Sequence, residues 1–405
     1  MSGLSMLHPE TEADVARMVG EAAAANTTLE IVGGGTRAGL GRPVRAASAL
    51  SVARLSGITH YDAAELVMTA RAGTPLSEIE AALAANNQML TFEPMDHRGL
   101  LGSTGEPTIG GVFAANVSGP RRLSAGAARD SLLGVRFVNG SGDIVKSGGR
   151  VMKNVTGLDL VKLMAGSWGT LGVICEVTFK VLPRPEAAVT IVVGGLNDAE
   201  AAHAMAAAMA LPVECSGAAH LPESLVRAFL DGRLTGGPAT VLRLEGLTPS
   251  VAVRSEALQA VMAGHGTVAV LDADETSQLW REIRDVKPFA DRPGKPVWRV
   301  SLAPMAGEQL VAALRLHTGV DAFYDWQGGL VWLAMEQDPE PELIRGFVKA
   351  LGGGHAQLVR ANAATRSSVA VFEPLSPPLE ALTRRLKIQF DPQAILNPGR
   401  MLAGV

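Results

Sequence analysis

The sequence feature that most constrains the fold is the glycine-rich stretch EIVGGGTRAGLG, residues 30–41. Residues 33–38 satisfy the G-x-G-x-x-G/A pattern of a Rossmann turn, which leads from a strand into a helix whose N-terminus holds a pyrophosphate. Adjacent glycines also let several backbone N–H groups converge on one anion, because no Cβ stands in the way. The stretch therefore fits a dinucleotide-binding turn, another kind of phosphate loop or a plain tight turn.

The residues after the glycines exclude a Rossmann turn. Gly39, Gly41 and Pro43 would break the first turn of the helix that this motif requires. The acidic residues that follow, beginning at Asp62, come later than the about 20 positions at which the motif places its ribose-binding carboxylate. A Walker A loop is also excluded, because no Lys-Ser/Thr pair follows Gly39. An anion-binding loop without a following helix remains, beside the plain turn.

The start of the chain does not fit a Rossmann unit either. Thr11 and Asp14 are typical of an N-cap and its N3 partner, and Val15, Met18 and Val19 give the following residues one apolar face. The chain is therefore predicted to begin with a helix and to continue into a strand over residues 29–32.

Composition excludes several classes of protein. The 405 residues are 47% hydrophobic and 19% charged, with a formal net charge of −4, which predicts a globular protein of two or three domains without nucleic-acid binding. Cys175 and Cys215 form no metal-ligand cluster, so we expect neither a disulfide framework nor an iron–sulfur centre, and we assign no metal ligands. Residues 1–18 lack signal-peptide features, and no apolar run approaches the ~18 residues that span a bilayer. We expect a cytoplasmic protein without direct membrane insertion.

Two further glycine-rich segments add polar groups to the first loop. Residues 106–134 combine small, hydroxyl and amide residues with cations: Gly110, Gly111, Asn116, Ser118, Gly119, Arg121 and Arg122. Each hydrogen bond to a charged group contributes roughly 1.5–3 kcal/mol, so a handful from two loops could hold a dinucleotide without a helix dipole. Residues 153–185 place Gly166, Gly169 and Gly172 before a strand-like run at 173–182, which Pro183 and Pro185 end.

Six segments of the chain together resemble the flavin-binding oxidoreductases of the vanillyl-alcohol oxidase and p-cresol methylhydroxylase type. More closely, they resemble the family of FAD-binding E subunits of bacterial glycolate oxidase. The resemblance extends over most of residues 6–185 and about the last fifteen residues, and the six segments that carry it stand in order and at family-like spacing. They are GGGTRAGLG (33–41), FEPMD (92–96), TIGGVFAANVSGPRR (108–122), RDSLLGVRFVNGSGDIV (129–145), GGRVMKNVTGLDLVKLMAGSWGTLGVICEVTFKVLPRP (148–185) and FDPQAILNPGRM (390–401).

The resemblance implies FAD as the cofactor and assigns residues to it. The first loop would wrap the pyrophosphate with backbone amides of Gly33, Gly34, Gly35, Thr36, Arg37, Ala38, Gly39 and Leu40. The flavin side would be lined by Thr108, Ile109, Gly110, Gly111, Asn116, Ser118 and Gly119. Gly172 and Ile174 would meet the adenine or ribitol region, and Asn397 and Arg400 would return close to the isoalloxazine ring. Some relatives bond the flavin to a histidine of the first loop, where Thr36 and Arg37 stand here. Non-covalent FAD is therefore implied, and His97 is interpreted as structural.

The fold class that follows is α+β. Residues 1–185 are predicted to form an FAD-binding domain of the p-cresol methylhydroxylase type with two α+β subdomains, and residues 376–405 a C-terminal segment that returns to it. Residues 186–375 are predicted to form a cap, an antiparallel sheet covered by helices. Its strands are predicted at 188–193, 239–247, 296–302 and 328–335, with helices at 197–210 and 250–263 and a Gly-Gly hairpin at 328–329.

Oxidation of a 2-hydroxy acid needs a cation for the carboxylate and a base for the hydroxyl proton. The cation candidates are Arg281, Arg284, Lys287 and Arg299, with Trp298 as an aromatic wall. Arg299 is the candidate catalytic residue, because its predicted strand would point it inward, where an unpaired charge is costly unless it meets an anion. A salt bridge to a carboxylate of the cap is the alternative role for Arg299.

One departure from catalytic relatives concerns the base. Relatives that dehydrogenate D-2-hydroxy acids carry a His-x-Gly-Asp-Gly-Asn-x-His segment, and HTGVDAFYDW (317–326) does not match it. The first hypothesis is therefore an FAD-binding subunit of glycolate oxidase that converts glycolate to glyoxylate only with partners, a homologous D-type flavin subunit and an iron–sulfur subunit. Such partners could also bring it to the periphery of the inner membrane. The alternative is a self-sufficient FAD-dependent dehydrogenase of another small 2-hydroxy acid that uses Arg299 and an unidentified histidine. A scaffold that has lost its flavin is the third hypothesis, against which the intact glycine loops argue.

Overall fold

A small parallel sheet presents the first glycine loop. The computed structural model describes residues 5–150, 157–234 and 237–404, so residues 153–156 of the third glycine-rich segment lie outside the described residues. The first elements are β1 (Ser5–Leu7), α1 (Glu12–Ala24), β2 (Leu29–Val32) and β3 (Ser48–Ser51), and the sheet order is β1-β3-β2. The predicted capping box begins α1, because Thr11 and Asp14 exchange side-chain-to-backbone hydrogen bonds of 3.0 and 3.1 Å. Strand β2 leads directly into the loop at Gly33.

An antiparallel sheet of five strands, in the order β4-β5-β9-β7-β8, lies in the same half of the molecule. A short pair joins β6 to β10. The strand predicted at 173–182 is confirmed as β9 and β10. The elements, in chain order, are β4 (Ile58–Asp62), β5 (Val67–Arg71), α2 (Leu76–Ala84), β6 (Gln88–Met89), α3 (Arg98–Leu101), α4 (Ile109–Ala115), α5 (Arg122–Ala125), α6 (Ala128–Ser131), β7 (Leu132–Val138), β8 (Ile144–Gly148), α7 (Leu160–Met164), β9 (Val173–Lys180) and β10 (Leu182–Pro183).

The sequence suggested that the second glycine-rich segment is a loop, but part of it is helical. It contains α4, whose N-cap Thr108 accepts a hydrogen bond from the N–H of Gly111 at 3.4 Å. The glycines serve close packing of this helix: a Cβ on Gly110 would lie 2.6 Å from the Cβ of Ala72. Glycine here therefore brings a helix against the sheet instead of breaking it.

The cap is an antiparallel sheet of eight strands with helices packed on both faces, which confirms the predicted α+β class. Its order is β14-β11-β13-β12-β16-β17-β15-β18. The four predicted strands correspond to β11, β13, β15 and β17, and the two predicted helices to α8 and α10. The elements are β11 (Ala187–Gly194), α8 (Asp198–Ala210), β12 (Gly217–Leu221), α9 (Glu223–Val226), β13 (Ala239–Gly246), α10 (Thr248–Met262), β14 (Thr267–Leu271), α11 (Ala273–Arg284), α12 (Lys287–Ala290), β15 (Val297–Ser301), α13 (Ala306–Arg315), β16 (Val320–Asp325), β17 (Leu330–Met335), α14 (Pro341–Ala350), β18 (His355–Arg360) and α15 (Ala363–Ser368).

Alternation along β15 decides which side chains reach the other half of the molecule. Trp298 and Val300 are buried on the face of the sheet that packs against α13 and α14. Arg299 and Ser301 line a cavity on the opposite face. The expectation that Trp298 walls the site beside Arg299 is therefore wrong, because neighbouring residues of a strand point to opposite faces. The indole N–H of Trp298 instead donates to the carbonyl oxygen of Pro339 at 2.7 Å.

The C-terminal segment extends the first sheet. After α16 (Pro377–Phe390), the N–H of Leu29 donates to the carbonyl of Ile395 at 2.7 Å, and the N–H of Asn397 donates to the carbonyl of Leu29 at 2.9 Å. A buried ion pair of 2.6 Å between Lys387 and Asp391 holds this turn of chain. The segment thus reaches the strand that presents the first glycine loop. The domain boundaries after residues 185 and 375 stay predictions.

Candidate cofactor and substrate site

A first cavity, with an empty volume of about 790 Å³, lies where β2, α4 and the C-terminal segment meet. It brings together 13 of the sequence-predicted cofactor residues. These are Gly33, Gly34, Gly35, Thr36, Arg37, Ala38, Thr108, Gly110, Gly111, Gly172, Ile174, Asn397 and Arg400. Four stretches that lie apart in sequence therefore form one cavity.

The glycine loop requires its glycines because another loop passes against it. A Cβ on Gly34 would lie 1.6 Å from the carbonyl oxygen of Glu106, and a Cβ on Gly105 would lie 1.6 Å from the carbonyl oxygen of Gly34. Within the described residues, the backbone N–H groups of residues 34–37 donate to no protein acceptor. Buried N–H groups in native proteins are almost always paired, so a cavity lined by several such donors is suited to an anionic group.

Arg37 adds a cation to this cavity. Its side chain is buried, its Nε has no hydrogen-bond partner in the described structure, and its Nη2 donates to the carbonyl of Met95 at 3.4 Å. Burial lowers the pKa of Arg37 to about 10, which leaves the side chain charged at neutral pH. A buried cation with an orphaned donor beside unpaired backbone amides fits a bound diphosphate bridge.

The two predicted C-terminal residues also line the first cavity. The amide of Asn397 accepts from the N–H of Ile31 at 2.8 Å and donates to the carbonyl of Trp168 at 2.7 Å. The guanidinium of Arg400 donates to the carbonyl of Arg37 at 3.1 Å. Burial lowers the pKa of Arg400 to about 10. These residues fasten the glycine loop, the Trp168 loop and the C-terminal segment to one another.

A second cavity of about 1220 Å³ lies between strands β15–β18 of the cap, on the face opposite α13 and α14, and the first half of the chain. Ala115 and Trp168 line both cavities, so the two spaces adjoin. Five further predicted residues, Leu40, Asn116, Ser118, Gly119 and Arg299, line this second cavity. The predicted site is thus divided between two connected spaces.

Two arginines of the second cavity contact one tryptophan. The guanidinium carbons of Arg299 and Arg122 lie 4.8 and 5.0 Å from the ring centroid of Trp326. Within the described residues, neither side chain has a carboxylate at salt-bridge distance, so the alternative role of Arg299 in a cap salt bridge is not found. Burial and the nearby Arg122 lower the pKa of Arg299 to about 10, which leaves it charged. An anion entering this cavity meets two cations that lack a carboxylate partner.

Asp325 brings a carboxyl group into the same cavity. It is 2% exposed, and its Oδ1 accepts a hydrogen bond from the N–H of Trp326 at 2.7 Å. Burial and the nearby Glu93 together raise the pKa of Asp325 to about 7, although the hydrogen bond from Trp326 and the charges of Arg243 and Arg299 oppose the rise. Sequence reasoning missed this residue, although it belongs to the segment 317–326; a carboxylate at the end of a strand, directly before a Gly-Gly hairpin, was the available signal.

A buried ion network joins the cap to the loop after β6. Glu93 accepts two hydrogen bonds from Arg243, at 2.8 and 3.1 Å, and one from the backbone N–H of Arg121 at 2.7 Å. Arg121 also pairs with Glu245 at 2.8 Å. Although burial opposes it, the charges of Arg243 and Arg121 lower the pKa of Glu93 to about 2. This network holds β13 of the cap against the first half of the chain.

Several predicted residues lie elsewhere. Gly39 and Ile109 line neither cavity: Ile109 is fully buried at the start of α4, and a Cβ on Gly39 would rest 3.7 Å from Leu101. Among the other cation candidates, Lys287 pairs with Asp231 and Glu282. Arg284 lines the second cavity and pairs with Asp285 at 2.8 Å, whereas Arg281 lines neither cavity.

His97 lies in the lining of the second cavity and is not only a core residue. Its Nδ1 is 3.2 Å from the carbonyl of Met95. Burial and the nearby Arg37 lower the pKa of His97 to about 3, so the ring is neutral near pH 7.

The described residues contain neither a candidate metal cluster nor a candidate membrane-spanning helix. In the described ranges, no group of three or more His, Cys, Asp or Glu residues is arranged to hold a metal ion. None of the helices described combines the length and the apolar composition that crossing a bilayer requires.

Comparisons with known proteins agree with the geometry. A family model described as an FAD binding domain matches residues 4–148. The glycolate oxidase subunit GlcE of Escherichia coli (strain K12) is 38% identical over 394 residues, which cover 95% of each chain. The glycolate oxidase subunit GlcD of Bacillus subtilis (strain 168) is 25% identical over 320 residues, 73% of this chain and 68% of that protein.

The fold matches solved structures of the predicted type. The crystal structure of p-cresol methylhydroxylase with substrate bound superposes with a TM-score of 0.70 at 15% identity, over 98% of this chain and 88% of that one. That likeness establishes the fold, and the identity to GlcE over nearly the whole length establishes the family. This chain is an FAD-binding oxidoreductase that belongs to the family of glycolate oxidase E subunits.

Proposed function

We propose that this chain is the FAD-binding subunit of a glycolate oxidase complex, in which glycolate is oxidised to glyoxylate. The observation that carries the proposal is the pair of adjoining cavities. One offers backbone amides and Arg37 to a diphosphate, and the other offers Arg299 and Arg122 to a small carboxylate. A cofactor that runs from the first cavity past Ala115 and Trp168 would place its reactive ring beside the acid.

In this proposal, FAD is held without a covalent bond. Amides of residues 33–38 and the Arg37 guanidinium bind the diphosphate, and Gly172 and Ile174 line the same space. Asn116, Ser118, Gly119 and Leu40 lie along the second cavity, where the flavin ring would sit. Asn397 and Arg400 then serve the diphosphate end of the cofactor and not its ring. Acid precipitation tests the linkage: all flavin is expected in the supernatant, and flavin that stays with the protein would contradict the proposal.

The proposed partners are a homologous D-type flavin subunit and an iron–sulfur subunit that receives the electrons. The relatives named glycolate oxidase subunits GlcE and GlcD support the assembly of more than one chain. A cytoplasmic location, at the membrane periphery only through partners, completes the proposal.

Anaerobic reduction of the purified chain tests this function. Glycolate and lactate are added to the yellow protein alone and then together with the partner subunits, and the flavin absorbance is followed. Bleaching that requires the partners supports the subunit function. Rapid bleaching of the isolated chain would contradict the dependence on partners, and a colourless chain that takes up no FAD would contradict the whole proposal.

A second candidate is a self-sufficient FAD-dependent dehydrogenase of a small 2-hydroxy acid. One observation favours it: the second cavity of this chain contains unpaired cations and a carboxyl group, Asp325, in one wall. Bleaching of the isolated chain by one acid, at the same rate without partners, would select this candidate.

A further inference from the structure

Asp325 has the position of a residue that works on a bound acid. Its Oδ1 is occupied by the N–H of Trp326, while Oδ2 accepts no hydrogen bond from the described residues. The residue lines the second cavity although only 2% of its surface is exposed. Oδ2 is not among the fully buried atoms that lack a partner in the described residues, so a molecule in the cavity can reach it.

The strand register places Asp325 on the same face of the sheet as Arg299. Asp325 of β16 and Ser301 of β15 are both aligned with Leu330 of β17, so these three residues form one row across the sheet. Arg299 lies two residues from Ser301 along β15 and therefore points to the same face. Asp325 and Ser301, the ends of the row, are roughly 10 Å apart between Cα atoms, because neighbouring strands are about 4.8 Å apart. Arg299 lies about 6.6 Å further along β15, so its Cα is roughly 12 Å from that of Asp325, and both side chains line the second cavity.

We propose that Asp325 accepts the hydroxyl proton of a 2-hydroxy acid whose carboxylate is bound by Arg299 in the second cavity. The inference rests on the proposed function, since it assigns the base of the same reaction. The hydroxyl O–H bond breaks, its proton moves to Oδ2, and its electron pair forms the second C–O bond of the product. The bound flavin supplies the acceptor for the C2 hydrogen and its electron pair. Asp325 thereby takes the role for which the sequence offered no histidine.

The backbone around Asp325 holds the carboxyl group in place. The hairpin turn after it has Trp326 at φ 51° and Gln327 at φ 62°, both in the left-handed region that residues other than glycine seldom adopt. The indole N–H of Trp326 donates to the carbonyl of Gly119 at 3.1 Å, which ties the turn to the opposite wall of the cavity. Backbone strain that is kept by such contacts is typical of functional sites.

The charges around Asp325 agree with a base that works near neutral pH. Burial keeps the pKa of the carboxyl group high, so that it ionises near pH 7 and returns protons readily. The charged and titratable groups that face it or share its cavity are Glu93, His97, Arg122, Arg243, Arg284, Arg299 and His355.

Binding of oxalate to the full-length holoprotein tests the placement without any turnover. Oxalate cannot be oxidised like a hydroxy acid, and its affinity is measured by calorimetry from pH 5.5 to 8.5. In the wild type, affinity is expected to fall several-fold as pH rises through about 7, because ionised Asp325 repels the anion. Asp325→Asn is expected to remove this dependence and to keep the tight binding of low pH.

Two control variants separate Asp325 from other groups. Asp321→Asn changes a carboxylate of the same strand that pairs with Arg292, and His355→Gln changes another titratable residue of the cavity wall. Both are expected to keep the pH dependence of the wild type. Dependence that persists in Asp325→Asn, or that disappears in His355→Gln, would overturn the assignment.

The rate of anaerobic flavin reduction by saturating glycolate, in the assembled complex, tests the chemical role. Asp325→Asn keeps the Oδ1 acceptor for the N–H of Trp326, so the variant is expected to fold and to retain FAD. Its rate is expected to fall roughly 100-fold or more and to lose the rise with pH, with a KM no higher than that of the wild type. A rate within about 3-fold of the wild type, or one that still rises with pH, would overturn the proposal.

Failure of this inference can be told apart from failure of the proposed function. Arg299→Gln is expected to weaken oxalate binding at every pH, and unchanged binding in that variant would contradict the second cavity as the acid site. If Arg299→Gln weakens binding while Asp325→Asn behaves as the wild type, the proposed function stands and Asp325 is not the base.

Discussion

The two adjoining cavities are built in opposite ways. The first is lined mainly by backbone and small residues of glycine-rich segments, whereas the second is lined by side chains that four strands of the cap, helix α11 and several loops bring together. The direction of backbone amides depends on the local conformation, which glycines in the sequence indicate. Whether side chains of separate strands lie together depends on the order of the strands in the sheet, which no local sequence pattern predicts. The lining of the first cavity was therefore predictable, whereas in the cap wall of the second cavity the sequence predicted Arg299 but not Asp325.

The largest effect, a loss of bound flavin, is expected from adding one methyl group to the glycine loop that lines the first cavity. In Gly34→Ala, the new Cβ would lie 1.6 Å from the carbonyl of Glu106, so the two loops must separate and the amides lose their common focus. The purified variant is expected to contain almost no flavin. The measurement is the ratio of the flavin absorbance, at about 450 nm, to the protein absorbance, at about 280 nm. Gly346→Ala, where a Cβ meets nothing within 4 Å, serves as the control and should keep its flavin. A yellow Gly34→Ala protein would show that this loop is not the diphosphate site.

The ion network between the two halves is expected to give the next largest effect. Glu93→Gln removes one of the two carboxylates that the buried Arg243 pairs with, since Arg243 keeps Glu245 at 3.3 Å. Removal of one partner of a buried pair costs up to about 3–5 kcal/mol of unfolding free energy. Glu93 has a lowered pKa, so its contribution is complete above about pH 4.5 and is lost as pH falls toward about 2. Denaturant unfolding should therefore show a difference from the wild type that shrinks between pH 5 and pH 3.

A surface pair provides the control for this prediction. Glu21, 64% exposed at its side chain, pairs with Arg17 at 2.9 Å. Glu21→Gln is expected to change stability by less than about 1 kcal/mol. Equal losses in the two variants would mean that the network at Glu93 does not hold the cap.

A smaller effect is expected from the cation of the first cavity. Arg37→Gln removes hydrogen bonds to a charged group, worth roughly 1.5–3 kcal/mol, and FAD affinity should fall about 10- to 100-fold. Fluorescence titration of the apoprotein with FAD measures it. Arg45→Gln, an exposed arginine after the same loop, should bind FAD as the wild type does. Equal affinities of the Arg37 and Arg45 variants would contradict the assignment of Arg37.

The smallest expected effect concerns the hairpin of the second cavity. Trp326→Phe removes the hydrogen bond of 3.1 Å to the carbonyl of Gly119 but keeps an aromatic ring beside the arginines. The variant should lose about 1 kcal/mol of stability in denaturant unfolding. Unchanged stability would show that the turn is not tied to the opposite wall.

Local patterns predicted much of the fold. The capping residues of α1, the apolar runs of β11 and β15 and the glycines before β17 all state their structure within a few residues. Strand β12, GAAHL, was missed because small residues have weak strand preference. Helix α4 was missed because its two glycines looked like loop residues, while their actual role is close packing against Ala72.

The candidate site divides along the same line. Gly33 to Ala38 were predicted to line a cofactor cavity, and they do line a cavity. Trp298 was placed on the wrong face of the sheet. Side chains of a strand alternate between the two faces, so the pattern that points Arg299 into the cavity points Trp298 to the opposite face, against α13 and α14. Asp325 of β16 and Trp332 of β17 line the same cavity as Arg299 of β15 only because β17 lies between β16 and β15. Strand pairing between residues far apart in sequence decides that order.

The central claim is that FAD in the first cavity and an acid in the second are neighbours within this one chain. The flavin absorption spectrum of the purified chain, recorded while oxalate is added, tests both halves together. The wild type is expected to be yellow and to show a saturable spectral change with oxalate, and Arg299→Gln is expected to be equally yellow with no such change at the same concentrations. A spectrum that oxalate leaves unaltered in the wild type, or alters equally in Arg299→Gln, would contradict the account.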